Sequence, residues 1–134
     1  MYCIVLKVSY LCPVIDYEPE KIIIMDIENS KAQMRKGVLE YCILAVLSDE
    51  AAYASDIIEK MKSAKLLVVE GTLYPLLTRL KNDGLLNYRW EESRSGPPRK
   101  YYSLTPTGQT FLKELNLSWR ELVESVGNVT EKIN

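Results

Sequence analysis

Thr72, Thr78, Arg79 and Asn82 crowd into one short stretch of this chain, with Pro75 among them and Tyr74 at the edge. Hydroxyl and amide groups can both donate and accept, a guanidinium can fork onto two acceptors, and a phenol can stack. Side chains of these types meet phosphate oxygens and base edges in nucleic acid. Arg79 can fork to a guanine or clamp a phosphate. Tyr74 has an equal claim as a packing residue at a helix edge. Further along, Arg94, Arg99 and Lys100 flank Gly96-Pro97-Pro98 and suit contact with phosphate or a narrow minor groove. Arg35 and Lys36 either reach phosphate from the start of a helix or simply solvate its end.

The elements that must carry these groups follow from periodicity. Leu73, Leu76, Leu77 and Leu80 recur at i, i+3, i+4 and i+7, so the stretch from Gly71 to Asn82 is a helix whose apolar face meets a core and whose polar face looks outward. Asp83-Gly84 stops it, because glycine accepts the left-handed conformation that closes a helix. At its start Val69 offers no capping side chain. Pro75 removes a backbone donor and crowds the carbonyl of Gly71, which predicts a loosened or bent first turn. Before it, Ser55 reads as the N-cap of a short helix from Asp56 to about Ser63, with Ile57, Ile58 and Met61 inward. After it, Leu85–Glu92 and Arg99–Leu104 read as strands joined by a turn-rich loop, Ser93–Pro98. On the second strand Lys100, Tyr102 and Leu104 share one face, and Arg99, Tyr101 and Ser103 the other. Trp90 is read as core or hairpin packing.

A helix from about Asn29 to Leu47 precedes these elements. Its second half is apolar nearly all round and far too short to span a bilayer, so protein must cover it on both sides, a second subunit being one such cover. Val38 and Cys42 lie on that surface. Gly37 is either a close-approach position or a tolerated defect. At the other end Thr105-Pro106 is an N-cap followed by proline at N1, a helix start. The helix beyond carries Gly108, Leu112, Leu115, Trp119, Leu122, Val126, Val129 and Ile133 at alternating gaps of four and three. That is a 3.5-residue repeat, the pattern of a coiled-coil seam. A helix lying on its own domain is the alternative, and Phe111 and Val123 widen the stripe in that direction.

Bulk properties narrow the function classes. The chain has 134 residues, 47% of them hydrophobic, enough for one domain with a core. Net charge is −1. Between Arg79 and Thr105, however, six cations (Arg79, Lys81, Arg89, Arg94, Arg99, Lys100) face three acids (Asp83, Glu91, Glu92), so a locally basic face sits on an acidic body. A solvated charged surface would show the same excess. Three cysteines, Cys3, Cys12 and Cys42, form neither a disulfide framework nor a metal spacing and suit a reducing cytoplasm. Histidine is absent, which removes the commonest general base and metal ligand. No cofactor, no metal and no membrane span are expected. Glu91 and Glu92 are adjacent on a strand, point to opposite faces and cannot share a catalytic site.

The order of two short helices, a basic hairpin and a long helix describes a winged helix-turn-helix with a C-terminal dimerisation helix, a mainly α fold with a small β-hairpin. Residues 26–105 form the expected nucleic-acid-binding domain and 106–134 the dimerisation helix. Gly71-Thr72-Leu73-Tyr74-Pro75-Leu76-Leu77, Arg79-Leu80, Gly84-Leu85-Leu86 and Gly96-Pro97-Pro98-Arg99-Lys100-Tyr101-Tyr102-Ser103-Leu104-Thr105 resemble the PadR family of bacterial transcriptional regulators, as do Gly37, Leu39, Ile43 and Leu44. The resemblance runs from about Met34 to the end. It implies a cytoplasmic homodimer joined through its first and last helices, here at Val38, Cys42, Leu112, Leu115, Trp119, Leu122 and Val126. It also implies repression through an inverted-repeat operator of double-stranded DNA. Some members release DNA when a small aromatic effector enters between the subunits, and a tryptophan of the last helix lines that site in drug-sensing members, which makes Trp119 an effector contact or plain interface packing. The competing reading is a winged-helix module that binds protein and not DNA; an enzyme ranks behind both.

Residues 1–25 fit none of this. Tyr2–Tyr10 has strand-like composition, and Pro13 and Pro19 break any helix nearby. We expect the working protein to start at or near Met25, the upstream stretch being an artefact of start-site assignment. Intact mass of protein made from the native gene checks this, and a mass that includes Met1 overturns it.

Overall fold

The computed structural model describes the backbone of residues 19–133 and the side chains of residues 26–133. The strand expected at Tyr2–Tyr10 and the break expected at Pro13 lie outside them. Two compact units divide the chain, Met1–Met34 and Arg35–Asn134. The elements in order are α1 (Pro19–Lys36), α2 (Leu39–Asp49), β1 (Ala52–Tyr53), α3 (Ala54–Ser63), α4 (Glu70–Asn82), β2 (Leu86–Ser93), β3 (Gly96–Leu104), α5 (Pro106–Thr130) and a 3-10 turn, Glu131–Ile133.

In α1, Pro19 opens the helix instead of breaking it, a position where its missing N–H costs nothing. Lys31 and Glu28 pair across one turn at 2.8 Å. The single helix expected from Asn29 to Leu47 is two helices. The chain turns at Gly37-Val38, the Val38 N–H bonding to the Arg35 carbonyl at 3.1 Å, and helix resumes at Leu39. Gly37 is the weakest helix former in the run, and the break falls there.

The second unit closes over a core of Leu39, Ile43, Leu44, Leu47, Ile57, Met61, Leu73, Leu77, Leu80 and Leu86, together with Val68, Leu85 and Tyr102. Of the α4 stripe, Leu73, Leu77 and Leu80 are buried and Leu76 is half-buried against them. Helix α3 starts at Ala54, one residue before the expected cap at Ser55. The strand β1 runs straight into it, and the Asp56 carboxylate accepts from the Tyr53 N–H at 3.1 Å, closing the first turn. At the end of α3 Lys65 takes the left-handed conformation, φ 61°, while the Leu66 N–H reaches back to the Met61 carbonyl at 2.9 Å. The first turn of α4 keeps its bonds despite Pro75: Thr72 and Leu73 both donate to the Val69 carbonyl at 3.0 Å. Proline removes only the donor for the Gly71 carbonyl, on an exposed residue that water can serve.

The far end of α4 is a Schellman closure. Gly84 has φ 76°, its N–H bonds to Lys81 at 3.0 Å, and the Leu85 N–H bonds to Leu80 at 2.9 Å. The chain then enters a sheet of three antiparallel strands in the order β1-β3-β2. The hairpin turn is only Arg94-Ser95, with Ser93 opposite Gly96 and a bulge between Glu91 and Ser93. Ser93 and Gly96–Pro98, read as loop, therefore belong to strands. The third strand is new to the sequence reading: Ala52 pairs with Tyr102, and Tyr53 with Tyr101.

Thr105 joins hairpin to α5. Its hydroxyl accepts from the Gly108 N–H at 2.9 Å and meets the Gly84 carbonyl at 2.7 Å, while its N–H donates to the Leu85 carbonyl at 3.0 Å. Gly108 is no seam position, because a Cβ there would lie 2.1 Å from the Leu85 oxygen and 3.1 Å from Leu104. Leu112 and Leu115 rest half-buried on the core. Beyond them the 25-residue helix outruns the domain, and Leu122, Val126 and Val129 stand exposed.

Gly108→Ala forces a methyl onto a backbone carbonyl. We expect a loss of about 1–3 kcal/mol of unfolding free energy, the usual cost of overpacking, measurable by urea denaturation.

Candidate nucleic-acid interface

All six candidate residues of α4 are exposed, yet they do not form a single surface. Tyr74 and Thr78 turn toward the hairpin. With Tyr53, Ser55, Trp90, Arg99 and Lys100 they line a cleft of about 450 Å³ between α4 and the sheet. Thr72, Pro75 and Arg79 turn the other way, toward α2, where they border an open depression with Lys36 and Glu40. Asn82 lies at the end of the helix beside Thr78, Lys81, Tyr88 and Lys100. The Thr78 hydroxyl donates to the Tyr74 carbonyl at 3.0 Å, so its proton is used within the helix and its lone pairs face out.

The hairpin cations are held on aromatic rings. Arg99 lies 4.1 Å over the Tyr53 ring, and Lys100 lies 4.4 Å from the Tyr88 ring centre and 5.4 Å from that of Trp90. Each such contact at an exposed site is worth about 0.5–1 kcal/mol, enough to bias a long side chain toward one direction. Lys100 and Arg99 occupy opposite faces of β3, as the alternation requires. Arg94 is exposed at the turn. Arg89 is drawn elsewhere: its guanidinium forks onto Glu91 at 2.7 and 3.0 Å and stacks on Tyr101 at 4.9 Å. The Tyr53 hydroxyl donates to the same carboxylate at 2.5 Å. That bond, then the Arg89 fork, holds the Glu91 carboxyl below its ordinary range, and the Tyr53 phenol is raised by the same contact.

Four residues sit differently from their sequence reading. Trp90 is 61% exposed, so it is hairpin surface and not core. Arg79 is ion-paired with Glu40 of α2 and does not stand alone on its helix. Arg35 and Lys36 lie in the last turn of α1 and not at the start of a helix. Tyr53 and Glu40 were not singled out, and Ser55 only as a helix cap. Tyr53 belongs to a two-residue strand too short for any periodicity. Trp90 was within reach of the face argument, since it pairs with Lys100 across the hairpin.

The expected interface positions also separate. Val38 and Cys42 are half-buried, and burial pushes the Cys42 thiol up. Tyr41 donates to Asn116 at 2.8 Å and its ring stands 6.3 Å from Trp119, tying α2 to α5. Among the described residues no helix is long and apolar enough to cross a membrane.

The family model for the transcriptional regulator PadR-like family matches residues 43–114, from within α2 to the first half of α5. The chain belongs to this family. PadR-like relatives of known structure share the fold along nearly their whole length. The chain is 66% identical to a PadR-like transcription factor from Bacteroides fragilis, over 75% of this chain and 98% of that one, with a TM-score of 0.65. A PadR family regulator from Eggerthella lenta is 33% identical, covering 83% and 98%, with a TM-score of 0.71. A PadR-like regulator from Bacillus cereus is 40% identical, covering 72% and 95%, with a TM-score of 0.64. PadR proteins are transcriptional regulators and not enzymes.

The Tyr53–Glu91 bond carries a pH dependence. Glu91 is depressed in the folded protein, so its contribution is present above the ordinary carboxylate range and fades as pH falls through the lowered value. In Tyr53→Phe the Glu91 carboxyl should titrate closer to an ordinary glutamate, as followed by carbonyl NMR; an unmoved titration would remove Tyr53 as the cause.

Proposed function

We propose that this PadR-like protein binds double-stranded operator DNA as a homodimer and represses the genes beside it. Helix α4 enters the major groove and the β2–β3 wing follows the neighbouring backbone. The cleft between α4 and the wing carries this reading. One wall supplies Tyr74 and Thr78, the other Arg99 and Lys100, and Trp90 stands exposed at its edge. A helix in the major groove leaves one sugar–phosphate strand between itself and a wing that reaches the minor groove. The cleft suits that strand: cations already directed by their aromatic supports, the Tyr74 hydroxyl for a phosphate oxygen, and flat rings for sugars. Asn82 and Arg94 extend the contact at its two ends.

The dimer rests on α5. Trp119, Leu122 and Val126 are exposed on one stripe with a 3.5-residue repeat, and a second copy of the same helix is the partner such a stripe fits. Leu112 and Leu115 support the stripe from the core side, and Val38, just before α2, and Cys42 within it are the further positions assigned to the interface. Residues 26–105 then form the reading unit and 106–134 the joining helix. A small aromatic effector would enter beside Trp119, where Tyr41 already supplies a second ring.

Titration of the upstream intergenic DNA by fluorescence anisotropy, repeated across salt, tests the reading. Binding should weaken linearly on logarithmic axes, and Arg99→Ala with Lys100→Ala should lower the slope by about two and weaken all sequences alike. Leu122→Asp should convert dimer to monomer in sedimentation. Absence of salt-dependent binding at low ionic strength would leave the protein-only module.

A further inference from the structure

Arg79 is the cation on the side of α4 that turns toward α2, and it is already engaged. Glu40 lies in the first turn of α2, where the helix dipole favours a carboxylate. Its Oε1 is closed off from solvent and faces the Arg79 guanidinium. The Arg79 side chain remains 60% exposed, so the pair is closed on the α2 side and open on the other. Lys36, Gly71, Thr72, Pro75 and Leu76 complete the depression around it.

We infer that Glu40 is a specificity-determining residue, which keeps Arg79 from acting as a phosphate clamp and leaves it to read a base. The inference rests on the DNA-binding reading above. A guanidinium has five donors in a rigid fork, so an edge given to a carboxylate leaves another edge free. Phosphate approaching that free edge meets an arginine whose charge is cancelled by Glu40 and an anion close behind it. Guanine presents O6 and N7, neutral acceptors that the fork matches and that the carboxylate repels far less. Glu40 therefore withdraws one cation from sequence-independent attraction while preserving its hydrogen-bonding geometry. It also fixes the long side chain, so the fork is presented in one direction.

The test compares operator DNA with a scrambled duplex of equal length, for wild type, Glu40→Gln, Arg79→Ala and the double variant. Glutamine keeps the shape and removes the charge. For Glu40→Gln we expect tighter binding to scrambled DNA, a salt slope steeper by about one, and a smaller ratio of operator to scrambled affinity. In the Arg79→Ala background the Glu40 substitution should change none of these. An unchanged slope, or equal weakening on both duplexes, overturns the inference and makes Glu40 a structural partner only. If Glu40→Gln does not fold, as judged by its melting curve, Arg79→Lys serves instead. It keeps the charge and loses the fork, so discrimination should fall about ten-fold or more, and undiminished discrimination overturns the inference. Failure of the wild type to bind either duplex is a failure of the DNA-binding reading itself and is distinguished by that control.

Discussion

The carbonyl of Leu85 is the joint on which the reading surface hangs. It accepts from the Thr105 N–H at 3.0 Å, and the bare backbone of Gly108 presses against it. Leu85 itself closes α4 through its bond to Leu80. The backbone of one residue thus touches the end of α4, both feet of the hairpin and the first turn of α5. No side chain could fit between these backbones, which is why a glycine stands at position 108. The angle between α4 and the wing is set here, and so is the width of the cleft between them.

On the proposed reading, the same joint would couple DNA contact to assembly. Helix α5 leaves it with Leu112 and Leu115 packed on the core and, at about 1.5 Å of rise per residue, continues for several turns beyond. A partner gripping the outer half of α5 would inherit an orientation fixed at Thr105. The second tie is Tyr41, which holds α5 through Asn116 and Trp119. Its neighbour Glu40 holds α4 through Arg79. Helix α2 therefore touches the joining helix with one residue and the recognition helix with the next, so a shift of α2 at Trp119 would be felt at Arg79 with no intervening loop.

What was legible in the sequence was whatever repeats or punctuates locally. The leucines of α4, the Gly84 stop, the Thr105-Pro106 start and the face alternation of β3 each announce themselves within a few residues. Contacts between distant positions were not legible. The pairing of Tyr53 with Tyr101 creates a third strand from two residues, and no periodicity exists in a segment that short. The Glu40–Arg79 pair joins two helices whose separate patterns say nothing of each other. Gly37 was legible as a weakness but not as a break, because propensity of about 1 kcal/mol decides a boundary only when the tertiary contacts on either side permit it. The exposure of Trp90 went unseen for a related reason: a large aromatic is buried by default, and only its pairing with Lys100 shows which surface it serves.

On the proposed reading, a chain whose 17 cations are outnumbered by 18 acids must place those near DNA with care, and their supports differ. Arg89 is cancelled by Glu91 and Arg79 by Glu40, whereas Arg99 and Lys100 rest on neutral rings that direct them without removing charge. An ion pair lowers the far field of a cation, and a ring leaves it nearly intact. On the proposed reading the wing would keep its attraction for phosphate, while the arginine of α4 would give up attraction and retain geometry. Affinity and discrimination would then be divided between two elements that diverge from the single carbonyl of Leu85.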